Sequence, residues 1–282
     1  MATARETPCL PEPAMREPTT GRRRPRRSVA RRLSAAAMTA GFGLGSTGHA
    51  QEPADYPSGW SFQLTPYAWL AGLKGDVAVR SGLPTVPVDA SFSDILENTD
   101  IALMLAAEAR RGRMGLVTDL VYLGASADGD TPGPLFGAAR AEVDTLFATV
   151  SAFYRAFAGE AVTVDALAGA RIWYVDLELE LDPGRLPGRT TQGNEVWADP
   201  VVGLRWNAQL GRGFFVAGAA DIGGFDVGAD FTWQLLGTLG YRVNDWLSVR
   251  AGYRHLEVDY EHDGFVFDVE MSGPIMGASF RF

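Results

Sequence analysis

The chain has 282 residues, 46% of them hydrophobic, and a formal net charge of −9. This length fits one large domain or two small ones. The only cysteine is Cys9, so the chain beyond it has no disulfide framework, no cysteine metal site and no thiol nucleophile. No run of about 18 apolar residues occurs, which excludes a membrane-spanning helix.

The charge is distributed unevenly along the chain. Residues 1–50 hold nine arginines and three acidic residues, so the rest of the chain holds 16 basic and 31 acidic residues, a net charge of −15. An acidic surface argues against nucleic acid as a partner, because nucleic-acid binding needs clustered positive charge.

The first fifty residues have the three parts of a bacterial export signal. Residues 22–32 (RRRPRRSVARR) are strongly basic, and residues 33–45 (LSAAAMTAGFGLG) are short and weakly apolar. Gly48 and Ala50 place small residues at both positions that signal peptidase recognises. We therefore predict a signal peptide with a basic N-terminal extension over residues 1–50, cleavage after Ala50, and a short periplasmic segment over residues 51–59.

From residue 60 onward the dominant period is two. In residues 199–210 large apolar side chains such as Val202, Leu204 and Trp206 alternate with polar or small ones such as Gly203 and Arg205. Such alternation is typical of a strand with one face toward lipid and the other toward a polar lumen. Helical spacing does not fit.

The pattern divides into ten predicted strands joined alternately by tight turns and longer links. The strands are predicted near residues 60–80, 99–111, 113–127, 141–157, 161–181, 195–210, 213–227, 229–243, 246–262 and 264–282. The longer links are 81–98, 128–140 and 182–194, followed by two shorter ones near residues 228 and 263. Short turns at one end and long loops at the other are typical of bacterial outer-membrane barrels. The expected fold is therefore all-β, a closed antiparallel transmembrane barrel of about ten strands over residues 60–282, with eight or twelve strands as alternatives.

The apolar and polar positions exchange parity beyond Tyr174 in the fifth predicted strand. Asp176, Glu178 and Glu180 continue the parity of the apolar residues before them. We interpret the exchange as a register inversion caused by a β-bulge where the strand leaves the membrane. A similar exchange follows His255 in the ninth strand.

The end of the sequence alternates apolar residues and finishes in an aromatic one: Met276, Ala278, Phe280 and Phe282. This end resembles the C-terminal strand that the outer-membrane assembly machinery recognises across barrel families. Residues 60–70 (WSFQLTPYAWL) and 92–96 (FSDIL) resemble members of the small Gram-negative outer-membrane barrels, the opacity-protein, OmpW-like and OmpA-transmembrane-like group. The resemblance implies outer-membrane localisation, with membrane lipid, lipopolysaccharide and the barrel-assembly machinery as partners. It does not imply one activity, because this fold supports many.

Strand parity assigns a set of charged side chains to the lumen. In a barrel of about ten strands these charges have little room and are expected to pair. We interpret them as a salt-bridged network that closes the lumen, with a narrow charge-lined channel as the alternative. The predicted lumen residues are Glu108, Arg110, Asp119, Arg155, Asp165, Arg171, Asp199, Arg205, Asp221, Arg242, Arg250, Arg254 and Arg281.

The sequence offers little for catalysis. His255 has Glu257, not serine, two residues on, which differs from a lipid-A deacylase-like barrel. An omptin-like protease would have an Asp-x-Asp pair on one rim and an Asp-x-His pair opposite it. Residues 128–130 read Asp-Gly-Asp and match the first pair, but Tyr260 stands where the aspartate of the second pair would precede His262. We therefore predict no enzymatic activity, no catalytic residues and no cofactor.

Acidic residues in the predicted outer loops could bind Ca²⁺ or Mg²⁺, but they lack ligand spacing, so no metal site is predicted. The predicted function is a structural or surface barrel of the outer membrane with a side-chain-filled lumen. The alternatives are a narrow channel or uptake porin for small solutes and, third, a surface enzyme acting on lipid or peptide.

Overall fold

The computed structural model describes residues 59–78, 86–130 and 136–282. The predicted signal peptide, its cleavage site and most of the periplasmic segment lie outside these residues. The elements in chain order are β1 Trp60–Trp69, β2 Gly72–Ala78, β3 Val86–Ala90, α1 Phe92–Glu97, β4 Thr99–Arg111, β5 Met114–Asp130, β6 Phe136–Ala158, β7 Val162–Pro183, β8 Arg189–Gly211, β9 Phe214–Gly224, β10 Phe231–Arg242, β11 Leu247–His262 and β12 Phe265–Arg281. Among the described residues no helix is long and apolar enough to span a membrane.

Ten of these strands form a closed antiparallel barrel, which confirms the predicted fold class. Their order around the ring is β1, β4, β5, β6, β7, β8, β9, β10, β11 and β12, and pairing of β1 with β12 closes it. The predicted first strand, 60–80, is two strands in the structure, because Leu70 and Ala71 interrupt it before β2 continues along β12. The predicted loop 81–98 contains β3, which pairs with β2, and the short helix α1.

The outer face of the wall carries an apolar belt. On β7 the outward positions from Val162 to Tyr174 are all apolar or aromatic. This stretch is about 40 Å long, which at a strand tilt of about 40° spans about 30 Å, close to the apolar height of outer-membrane barrels. Exposed aromatic rings line the rim at the turn end: Trp60, Phe62, Tyr154, Phe157, Phe214, Tyr241 and Trp246. The surface therefore fits a lipid bilayer.

Beyond the belt the barrel continues as an outer extension in which the two faces exchange chemistry. β7 pairs with β6 and β8 through residues 175–181 with no register shift, so the predicted bulge near Tyr174 is wrong. The acidic side chains from Asp176 onward stay on the outer face, while Val175 and Leu177 stay on the lumen face and contribute to a hydrophobic core. The parity exchange arises because the surroundings of the wall change from lipid to water, which requires polar groups outside and allows apolar groups inside.

The extension also lengthens the strands beyond the predicted limits. β6 begins at Phe136 and β8 at Arg189, each several residues before the positions expected from alternation. Residues 189–194 (RTTQGN) have little hydrophobic pattern, yet the register with β7 continues to the pair of Arg189 and Leu181. Backbone hydrogen bonds to an adjacent strand are enough to hold them in strand geometry.

Candidate functional site

An aromatic plug fills the lumen within the outer extension. Its rings come from Trp69, Phe147, Trp173, Trp197, Tyr260, Phe265 and Phe267. Trp173 is fully buried and stacks on Trp197 with ring centroids 5.6 Å apart, and Trp197 stacks on Tyr260 at 4.0 Å. Their lumen-facing parity is readable from the sequence, but the stagger of the strands that brings their rings together is not.

The plug joins opposite sides of the barrel. Trp173 lies on β7 and Phe267 on β12, and four strands separate these two in either direction around the ring. Their ring centroids are nevertheless only 6.0 Å apart. Rings from opposite walls are therefore in contact within the lumen at this level.

Below the plug lies an upper polar layer, centred on two buried arginines. Arg171 donates to Asp221 at 2.8 Å and to Thr232 at 3.1 Å. Arg254 donates to Asp119 at 2.6 Å and to Tyr67 at 3.0 Å.

Arg254 also joins this layer to the plug. Its guanidinium carbon lies 4.6 Å from the Trp69 ring centroid and 5.5 Å from that of Phe147. Such cation–π contacts hold a buried guanidinium in place.

A lower polar layer lies nearer the turn end. Arg205 donates to Glu108 at 2.7 Å and to Asp165 at 2.8 Å, and Arg155 donates to Asp165 at 2.6 Å. Arg110 contacts both carboxylates, at 3.1 Å and 3.4 Å. Glu108 and Arg205 come from β4 and β8, which three strands separate, so this layer also crosses the lumen.

The remaining predicted lumen charges form no ion pairs with the residues that the structure describes. Asp199 is fully buried and accepts a hydrogen bond from the backbone N–H of Ala229 at 2.6 Å, which ties the β9–β10 connection to the wall. Arg250 packs near Phe215 at the turn end, while Arg242 and Arg281 are exposed at the rim. None of these three arginines forms an ion pair with a carboxylate of the described part of the chain.

Cavities also lie between these groups. One, of about 230 Å³, lies between the plug and the lower layer, with Ala106, Val117 and Leu236 among its apolar walls. Another, of about 510 Å³, lies at the turn end and is lined by arginines. We call the second one the turn-end vestibule.

The two histidines beyond the predicted signal peptide lie outside the lumen. His255 is on the outer wall, 3.6 Å from Glu270 and 3.9 Å from Glu257. The structure places Ser272 opposite His255 on the neighbouring strand, a proximity that scanning along one strand could not find. The Ser272 hydroxyl donates to Glu270 at 3.5 Å.

His262 lies at the β11–β12 turn, 3.6 Å from Asp263, and is exposed, while Tyr260 points into the plug. The side chains of residues 128–130, which read Asp-Gly-Asp and would face this histidine in an omptin-like arrangement, lie outside the described part of the chain.

The acidic side chains on the outer face of the extension stand opposite one another. Asp259 pairs in register with Asp268, and Glu257 with Glu270. Burial and the surrounding carboxylates, that of Asp268 first, raise the pKa of Asp259 to about 6. No group of three or more metal-binding side chains with suitable geometry occurs within residues 59–78, 86–130 and 136–282.

The residues of the predicted assembly signal lie on or after β12. Met276 and Phe280 are on the outer face, and Phe280 stacks on Trp246 with centroids 6.0 Å apart. Phe282 follows the strand and is exposed. Recognition of these residues by the assembly machinery stays a prediction.

A closed antiparallel ten-stranded barrel with an apolar belt and an aromatic rim defines a class, the integral β-barrels of bacterial outer membranes. The comparison with solved structures agrees with this class. The outer membrane protease OmpT from Escherichia coli superposes with a TM-score of 0.51 at 10% sequence identity, covering 82% of this chain and 99% of OmpT. At this identity the similarity shows a shared fold.

Other outer-membrane barrels align less closely. The attachment invasion locus protein Ail of Yersinia pestis gives a TM-score of 0.33 at 12% identity, covering 80% of this chain and 100% of Ail. The toluene transporter TodX of Pseudomonas putida gives 0.32 at 13% identity, covering 80% of this chain and 90% of TodX. No family model and no curated protein matches this chain.

Proposed function

We propose that this protein is a non-enzymatic structural or surface barrel of the outer membrane whose lumen is closed by its own side chains. The observation that carries the proposal is the contact between Trp173 and Phe267 across the full width of the barrel. The two polar layers support it, because each joins strands on different sides of the ring. Membrane lipid and lipopolysaccharide would surround the apolar belt, and the barrel-assembly machinery would insert the chain.

The absence of catalysis is part of the same proposal. Ser272 is the serine nearest in register to His255, but its hydroxyl hydrogen-bonds to a carboxylate and not to the imidazole. A serine nucleophile needs a base that accepts its proton. The arrangement on the outer wall therefore favours a polar patch at the membrane surface over a hydrolase.

Conductance in planar lipid bilayers tests the closed lumen. We expect the purified wild-type barrel to show no steady conductance. Replacing both Trp173 and Trp197 with alanine should create a path through the plug and produce channel openings. The matched control is Trp246→Ala, which removes an exposed tryptophan from the rim. Steady conductance of the wild type would contradict the proposal.

Slow uptake of small solutes is the second candidate function. The two cavities, of about 230 and 510 Å³, support it because they leave space on the turn-end side of the plug. Passage would need the plug to move. Swelling of vesicles in solutions of small sugars, compared between the wild type and the double tryptophan variant, distinguishes this function from a closed barrel.

A further inference from the structure

The turn-end vestibule has a strong excess of positive charge. Its walls carry six arginines: Arg110, Arg155, Arg205, Arg242, Arg250 and Arg281. The carboxylates in the same walls are Glu108 and Asp165, so the net charge of the lining is +4. These two acids are shared among Arg110, Arg155 and Arg205, which leaves the other three arginines uncompensated within the described chain.

Aromatic side chains hold two of these guanidinium groups in position. The guanidinium of Arg205 lies 4.2 Å from the ring centroid of Phe153, and that of Arg250 lies 5.7 Å from that of Phe215. The Phe215 ring occupies the place where a Cβ of residue 240 would stand, so a side chain at that position would displace the ring. Stacked guanidinium groups keep their edges available for hydrogen bonds while losing little freedom on binding.

Concentrated positive charge in a cavity with low-dielectric walls attracts anions. Arg250 is half-buried, and its Nε has no hydrogen-bond partner among the described residues. A partly buried cation without a partner is unfavourable, and an anion beside it would compensate the cost. Guanidinium groups bind carboxylates and phosphates through paired hydrogen bonds.

We propose that the turn-end vestibule binds a small multivalent oxyanion, a phosphoryl or polycarboxylate compound that enters from the side of the short turns. The volume of about 510 Å³ is within the range of small-ligand sites. The excess of four positive charges in the lining favours a multivalent anion over a monovalent one. The site goes beyond the proposed structural function and is independent of whether the lumen conducts, because a ligand at the vestibule need not cross the plug.

Isothermal titration calorimetry on the folded barrel in dodecyl maltoside tests this site, with pyrophosphate, citrate and acetate as probes. We expect saturable binding of pyrophosphate, citrate or both at one site, and none of acetate. Affinity should fall as salt rises from about 0.05 to about 0.5 M, because added ions screen the attraction. A preference for pyrophosphate would assign a phosphoryl ligand, and one for citrate a polycarboxylate. No saturable binding of either pyrophosphate or citrate would overturn the proposal, as would binding of acetate with the same affinity.

Arginine variants locate the binding. Arg250→Gln should weaken it about tenfold, the typical effect of losing one charge-assisted hydrogen bond. The matched control is Arg111→Gln, at the same end of the barrel but exposed on the outer face, which should leave affinity within about twofold.

A second variant tests the site if Arg250→Gln fails to fold. If Arg250→Gln does not fold, as judged by heat-modifiable migration, the double variant Arg242→Gln/Arg281→Gln replaces two rim residues and should weaken binding at least as much. Equal weakening by the Arg111 control, or unchanged affinity in folded vestibule variants, would refute the site.

Discussion

Replacing Arg254 with methionine tests whether the polar layers of the lumen are a dry, paired network. The side chain of Arg254 is 3% exposed and donates to Asp119 at 2.6 Å and to Tyr67 at 3.0 Å. Methionine keeps apolar contact with the Trp69 ring but leaves the carboxylate of Asp119 without its cation. Breaking a buried pair from one side costs about 3–5 kcal/mol, whereas a hydrated pair contributes at most about 1 kcal/mol.

Urea titration in lipid vesicles, followed by tryptophan fluorescence, measures this loss as a change in the free energy of unfolding. The control is Lys74→Met, which removes a surface ion pair with Asp89 in which the lysine side chain is 66% exposed. We expect a loss of about 3 kcal/mol or more for Arg254→Met and less than about 1 kcal/mol for the control.

The double variant Arg254→Met/Asp119→Leu separates loss of the pair from loss of packing. Removing both charges leaves no orphaned carboxylate, so most of the stability should return. A loss below about 1 kcal/mol in the single variant would show that water solvates Asp119 and that the lumen is wet. A double variant as unstable as the single one would show that the guanidinium acts through packing on Trp69.

Two further predictions concern the outer extension and the orientation of the barrel in the membrane. The pKa of Asp259 is raised to about 6, so the folded state favours the protonated form, and stability should increase as pH falls through 6 and decrease as it rises. Hydrogen-exchange protection factors of β11 and β12, compared between pH 5 and pH 8, should show this dependence. Asp259→Asn should abolish it, and a dependence that persists in this variant would assign it to other groups. The second prediction is that an epitope inserted near Gly188 is accessible to antibody on intact cells and one beside Gly211 is not, because the first lies in the loop between β7 and β8 at the outer end and the second lies beside the tight turn between β8 and β9 at the opposite end. Labelling of the second site on intact cells would reverse the orientation.

The fold was predictable because alternation acts locally. Each strand must separate lipid from lumen, so the period of two and the tight turns at residues 112 and 212 indicate strand number without knowledge of partners. The extension was harder, because alternation identifies the residues that share a face but not the medium that the face meets. Parity alone therefore attributes the acidic residues beyond Tyr174 to a bulge. In the structure the strand is unbroken there, and its surroundings change from lipid to water.

The contacts of the lumen depend on information that a single strand does not contain. Parity assigned Arg254 and Asp119 to the same interior, yet their pairing joins β11 to β5 and depends on the stagger of strands around the ring. The plug is not predictable for a related reason. Parity places Trp173 and Trp197 on the lumen face, but it does not show which rings from other strands meet them there.

The unbroken passage of β6, β7 and β8 from lipid into water has a mechanical consequence. From Tyr174 to Pro183 the wall rises about 20 Å above the apolar belt, given the usual rise and tilt of barrel strands. Hydrogen-bonded ladders join these strands in continuous register as far as Leu181, and the aromatic plug packs against them from within. The loop between β7 and β8 is therefore attached to a hydrogen-bonded, internally packed wall. This wall holds the loop away from the lipid surface, whereas a single unpaired segment would allow it to fold back.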